Sequence, residues 1–138
     1  MVVIDGRTWS EHLRPAVCWS LLAGERIGRL GVLVDSAPEI YPVNFAVDDE
    51  TIVFRTDPGS KLRGLVRSPS VCFEVDGFDV DEHTGWSVLV KGRAEEVRAS
   101  EDVASLRSLP LVLWAIGEKA HWIRLRPAEV TGRRIVPR

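Results

Sequence analysis

The feature that most constrains this chain is a series of short stretches in which apolar and polar side chains alternate, separated by turn residues and interrupted by glycines. Alternation with a period of two turns one face of an extended strand toward a core and the other away from it. Ile27–Val34 reads this way, with Leu30, Val32 and Val34 on one face and Gly28 and Gly31 as bend points. After a turn at Asp35-Ser36-Ala37-Pro38, Tyr41, Val43, Phe45 and Val47 share a face against Pro42, Asn44 and Ala46. Asp48-Asp49-Glu50 is a tight polar link to Ile52, Phe54 and Thr56, which predicts a hairpin. Ser70–Asp76 contains V-C-F-E-V, an apolar run expected to be buried on both faces. Gly85–Arg98 continues the pattern through Trp86, Val88 and Val90, with Gly92 as a bulge. Ala120–Arg126 sets His121, Ile123 and Leu125 against Trp122, Arg124 and Arg126; Pro127 is expected to interrupt it, and Val130–Val136 to close or extend the sheet.

Helical signals are fewer. Trp9–Leu13 reads as a helical turn, and Pro15 suits the first position of a helix that ends before Gly24. Asp57-Pro58-Gly59 stops the strand Ile52–Thr56, and Ser60 or Asp57 is placed to cap a helix whose apolar face is Leu62, Leu65 and Val66. Ser100-Glu101-Asp102 opens a third helix as a cap with two first-turn acids, with Val103 and Leu106 inward and Pro110 at its end. Leu111–Ala115 is apolar and has no clear periodicity. The segment Asp76–Thr84 is acidic but lacks the spaced ligands and central Gly of a calcium loop, so it reads as solvated. Six strands or so with glycine-marked bends and three short helices predict a mainly β chain, a six-stranded antiparallel barrel in a single domain over residues 1–138.

Composition removes several function classes. A formal net charge of −2 gives no electrostatic case for nucleic acid or a membrane surface. No apolar run is long enough to span a bilayer and no signal peptide is visible, so a cytoplasmic protein is expected. Cys18 and Cys72 read as buried free thiols. His12, His83 and His121 show none of the short ligand pairs of zinc sites with these cysteines. No G-x-S-x-G elbow, Walker loop or convincing carboxylate pair is present, and Glu95-Glu96 lies within a strand. Gly24, Gly28 and Gly31 precede a strand, unlike a dinucleotide fingerprint.

One residue is out of place on stability grounds. Lys61 stands in a helix's first turn, where a cation opposes the macrodipole. Two readings stand. The basic residues are solvated around an ordinary strand–turn–helix, or free amides, Thr56, Ser60, Lys61 and Arg55 hold an anion. Five tryptophans against one tyrosine add flat surfaces, among them Trp86, Trp114 and Trp122, and Arg124, Arg126, Arg133 and Arg134 add late positive charge. A phosphate pocket beside aromatic surfaces fits a phosphorylated aromatic cofactor better than protein-borne chemistry.

From Cys18 to Ile135 the chain resembles the pyridoxamine 5′-phosphate oxidase-like flavoproteins, whose fold is the FMN-binding split β-barrel. The likeness is carried by R-I-G-R-L-G-V-L-V at 26–34, Y-P-V-N-F-A-V at 41–47, I-V-F-R-T at 52–56 and G-S-K-L at 59–62. It continues through S-P-S-V-C-F-E-V at 68–75, G-W-S-V-L-V-K-G-R-A-E-E-V at 85–97 and H-W-I-R-L-R-P-A-E-V-T-G-R-R-I at 121–135. The resemblance implies an oxidoreductase that moves hydride or electrons between FMN and a small molecule, with the flavin at a homodimer interface. It implies a phosphate held by Arg55, Thr56, Ser60 and Lys61, and a ring along Val43, Asn44 and Phe45. The partner protomer would supply residues matching Trp86 and Ser87, and C-terminal ones matching Trp122 and Arg124. The vitamin-forming oxidase carries an Arg-x-His substrate motif where this chain reads Arg124-Leu125-Arg126, which argues against vitamin B6 synthesis. Its loop between strand and phosphate-binding helix is also one residue longer than the one between Thr56 and Lys61. Relatives with this fold also imply a deazaflavin alternative, its acidic tail along Arg63 and Arg67; the rival from another class is a binding module, a flavin or haem carrier or a vestigial barrel without turnover.

Overall fold

Turn chemistry sets the first three ring strands. Asp35 and Ser36 have φ of 51° and 67°, and Asp49 and Glu50 have 48° and 56°, the left-handed pairs that two-residue hairpins require. They join β3 (Ile27–Val34) to β4 (Ala37–Asp48), and β4 to β5 (Thr51–Thr56). In this computed structural model residues 2–3, 8–114 and 119–137 are described. The remaining elements are β1 (Val2–Val3), β2 (Thr8–Leu13), α1 (Pro15–Ala23), α2 (Ser60–Arg67), β6 (Ser70–Asp79), β7 (Thr84–Val97), α3 (Ser100–Leu106) and β8 (His121–Pro137).

All strand pairs are antiparallel, in the order β1-β2-β8-β5-β4-β3-β6-β7. A further β7–β8 ladder closes β3 to β8 into a six-stranded ring, the mainly β split barrel expected from the sequence. The inward faces meet as alternation predicts: Phe45, Phe54 and Phe73 are fully buried, and the Phe45 and Phe73 rings pack edge-on at 4.9 Å. Gly28 is required where the Phe73 ring lies against its backbone, since a Cβ there would enter that ring. α1 closes one end, with Cys18 so near β8 that a Cβ on Gly132 would sit 2.6 Å from its sulfur. Burial raises the Cys18 thiol's pKa. Among the described residues no helix is long and apolar enough to cross a membrane.

A second, smaller core lies on the outside of the ring. Val53, Leu106 and Trp122 are buried together there, with Val97, Val103, Leu109 and Leu111 around them. α3 and the segment after it therefore cover the outer faces of β5 and β8.

Several local expectations are corrected. Thr8–Leu13 is strand, not a helical turn, because β8 runs on to Pro137 and offers it a free edge to pair with. Arg14 is extended ahead of Pro15, as proline sterics demand. Pro127 does not interrupt β8; the strand passes it as a bulge against Lys91 and Gly92. β6 runs to Asp79 and β7 starts at Thr84, which shortens the acidic loop to four residues. β6 is not buried on both faces: Val71, Phe73 and Val75 point in, and Cys72 is exposed. Neither Ser60 nor Asp57 caps α2, whose cap position is Gly59 with φ 144°. Ser100 is the first residue of α3 and caps nothing, and that helix ends at Leu106, ahead of Pro110. Leu111–Trp114 has no regular structure, and Ala115 lies outside the described residues.

Candidate functional site

The ring is split at β4. That strand pairs with β3 over Ala37–Asn44 and with β5 only over Phe45–Asp48. Between Ala37 and Asn44 its other edge has no strand partner among the described residues, so it presents backbone donors and acceptors. β5 diverges there because Asp57-Pro58-Gly59 turns the chain into α2. The Gly59 backbone lies where side-chain-bearing residues are strained, which frees the helix to start abruptly.

Lys61, in the first turn of α2, reaches back over this opening, its ammonium 5.6 Å from the centre of the Tyr41 ring. Tyr41 donates to Glu39, which raises its phenol pKa. Burial lowers the pKa of the half-buried Lys61 ammonium, and Lys119 lowers it further, against an opposing pull from Asp57. Among the described residues no ion pair involves Lys61. Lys119 itself lies 2.6 Å from Asp57 Oδ2. Two ammonium groups thus lie near one carboxylate that only Lys119 pairs with, which leaves a positive excess suited to a dianion at the helix start.

Beside this cradle runs a cross-strand row on the outer face. Asn44 precedes Phe45, where the β4–β5 ladder ends, and Arg55, just after Phe54, is opposite Trp122. The Arg55 guanidinium lies 4.8 Å from the Trp122 ring centre. Among the described residues, Arg55 Nε, Trp122 Nε1 and Asp57 Oδ1 are buried without a hydrogen-bond partner. Two donors and one acceptor left unpaired in so small a region is unusual in a finished structure. Asn44 is committed at both ends: its Oδ1 accepts from the Trp114 N–H at 2.9 Å and its Nδ2 donates to the Arg26 carbonyl at 3.5 Å.

The sequence-derived residues therefore fall into groups. Asn44, Arg55, Ser60, Lys61 and Trp122 gather around the split. Val43 and Phe45 border it by backbone only, since their side chains are in the core. Thr56 faces inward, fully buried, and its hydroxyl donates to the Asp57 carbonyl at 3.3 Å. Ser60 is exposed and accepts from Arg63 at 3.5 Å. Trp122 is 4% exposed and belongs to the outer core. Arg124 is held by Asp48 at 3.0 Å and Thr51 at 2.6 Å. Trp86 and Ser87 lie on β7, separated from β4 by β3 and β6 within the chain.

Lys119 was not legible as a site residue. It precedes a strand in an unremarkable E-K-A, and only the antiparallel pairing of Thr56 with His121 brings it to Asp57. Next to it, His121 Nδ1 lies 2.9 Å from Glu96 Oε2. That bond holds the Glu96 carboxyl below its usual range, against desolvation and with help from Arg98. On the opposite outer face, burial and a hydrogen bond with Asp76 push the Glu74 carboxyl up to about 7, with Arg29 opposing.

Comparison with known proteins agrees with this architecture. Residues 14–134 match the family model described as pyridoxamine 5′-phosphate oxidase. The FAD-binding protein of Mycobacterium smegmatis is 40% identical, with a TM-score of 0.76 over 90% of this chain and 97% of that one. An uncharacterised protein of Mycobacterium tuberculosis is 37% identical over 84% of this chain and 79% of its own length. A FAD-binding protein of Mesorhizobium loti, at 24% identity, shares the fold with a TM-score of 0.79 over 94% of this chain and 98% of its own. With the ring, the split at β4 and the matched span in agreement, this chain belongs to the pyridoxamine 5′-phosphate oxidase family.

Proposed function

We propose that this protein binds FMN at the split between β4 and α2, and acts as a homodimeric flavin-dependent oxidoreductase on a small molecule. The observation that carries the reading is Lys61: a half-buried ammonium in a helix's first turn, near a second lysine and, among the described residues, paired with no carboxylate. Such a cation is costly unless an anion completes it. The orphaned donors on Arg55 and Trp122 fit the same ligand, since a phosphorylated, hydroxyl-rich molecule brings the acceptors they lack. Lys61, Lys119 and Ser60 would hold the phosphate, and the free edge at Val43 and Asn44 would seat the ring. A bound flavin supplies electron transfer at that ring; the chain supplies grip and orientation. The Mycobacterium smegmatis relative's FAD supports a flavin, because FAD contains the FMN unit.

Dimerisation follows from the same reading. Trp86 and Ser87 are two strands from the split, so only a second copy could bring them to the ring. Arg124 and Arg126 are both tied within the chain, Arg126 to Glu95 at 2.7 Å, so neither offers the free anion receptor of an Arg-x-His motif. That supports a substrate other than a B6 phosphate. Arg67 is paired with Asp35 at 3.5 Å, which leaves a deazaflavin's acidic tail fewer partners.

Absorbance of fresh protein and a fluorescence titration test the proposal. Lys61→Ala should raise the FMN dissociation constant at least about tenfold, about 1.4 kcal/mol, by removing a charge-assisted contact. An unchanged constant removes the phosphate assignment. Bound FMN that neither NADH, NADPH nor a reduced deazaflavin reduces would make this a carrier instead of an enzyme.

A further inference from the structure

We infer that Trp114 is the chain's own stacking residue for the flavin ring, a role resting on the flavin reading above. Trp114 stands at the end of a segment that leaves the outer core at Leu111 and crosses to β4. Its backbone N–H is fastened to Asn44 Oδ1 at 2.9 Å, 70 residues away in the chain. Trp114 is nevertheless 64% exposed. Large aromatic side chains are costly to leave in water, and this one could have joined Leu109 and Leu111 in the outer core a few residues earlier. Instead its backbone is pinned beside the stretch of β4 whose second edge has no strand partner among the described residues. Asn44 engages both ends of its carboxamide in this arrangement, the oxygen accepting from Trp114 and the nitrogen donating to Arg26.

The three tryptophans near flavin-associated positions thus separate by chemistry. Trp122 is closed into the outer core, and Trp86 packs against the main core two strands away. Trp114 alone among them offers an open aromatic surface, on a residue whose backbone is tied to Asn44. A planar, electron-poor heteroaromatic ring laid along the β4 edge would find it there. The role is to position and cover the ring; no proton is assigned to it.

Because Trp114 is exposed, replacing it should leave the fold intact, and circular dichroism checks this. FMN and riboflavin titrations are compared for the wild-type protein, Trp114→Ala, Trp114→Phe and Lys61→Ala. Trp114→Ala should weaken FMN and riboflavin by the same factor, because riboflavin has the ring without the phosphate, and should raise the emission of bound flavin several-fold. Trp114→Phe should restore much of the affinity but not the quenching. Lys61→Ala should weaken FMN while leaving riboflavin unaltered. Equal affinity and equal emission for Trp114→Ala and wild type, with flavin still bound, overturn the stacking role alone. A wild-type protein that binds neither flavin overturns the functional reading and this inference together.

Discussion

The outer surface of the ring has two halves, and they are finished differently. Over β5 and the first part of β8 the chain covers itself: α3 brings Leu106 down on Val53 and Trp122, and the following segment reaches Asn44. Over β3 and β6 no comparable cluster of buried side chains forms among the described residues. There Leu33 and Ile40 are 41% and 73% exposed, Cys72 is open, and a cavity of ≈ 660 Å³ runs between the β3–β4 hairpin and β7. The two halves are made from the same alternating strands. What differs is whether another part of the sequence was available to lie on them. The covered half is also where Arg55, Lys61 and Lys119 collect, so the chain's own covering and the basic cluster fall on the same half.

The comparison can be broken by variants, beginning with the largest effect. Leu106→Ala should destabilise the protein by about 2–3 kcal/mol, because it empties the contact between α3 and the Val53–Trp122 pair. Urea unfolding measures it; a loss below about 0.5 kcal/mol would mean that α3 is a passive covering.

The uncovered half makes an electrostatic prediction of opposite sign. Glu74 holds its proton up to about 7 when folded, against 4.5 as its ordinary value. Between those values the folded chain binds more protons than the unfolded one, so stability should fall as pH rises through that window and remain lower above it. Glu74→Gln should therefore raise stability at pH 8 by about 1 kcal/mol, after discounting for solvent screening, and flatten the slope of melting temperature against pH. An unchanged slope would show that water reaches Glu74 freely.

The smallest intrinsic effect is expected at Ile40. Ile40→Asp should change the stability of the isolated chain by less than about 0.5 kcal/mol, and light scattering should show the proposed dimer falling to monomers. A dimer that survives would place the second copy on another surface.

How much of this was legible beforehand depended on range. Alternation in Ile27–Val34 and Tyr41–Val47 named the inward faces correctly, because inside and outside differ every second residue whatever the partner strand. The oddity of Lys61 was visible because a cation at a helix start is wrong locally. The strand at Thr8–Leu13 was missed because its reason for being extended is the free edge of β8, more than a hundred residues later. Cys72 was misplaced because an apolar strand residue reads as buried even where its face is left open. The Trp114–Asn44 bond spans 70 residues and leaves no periodic trace.

By itself the sequence determined a mainly β ring with turns at fixed places, and the strand–turn–helix that carries Lys61, since propensity, alternation and turn chemistry act over a few residues. Only the tertiary structure decided that β4 exchanges partners at Asn44 and leaves an open edge. It also decided that Lys119 meets Asp57 and that one outer face is covered while the other is not. Those outcomes depend on which strands find each other across the ring, and pairing at long range is settled by the packing of the whole chain.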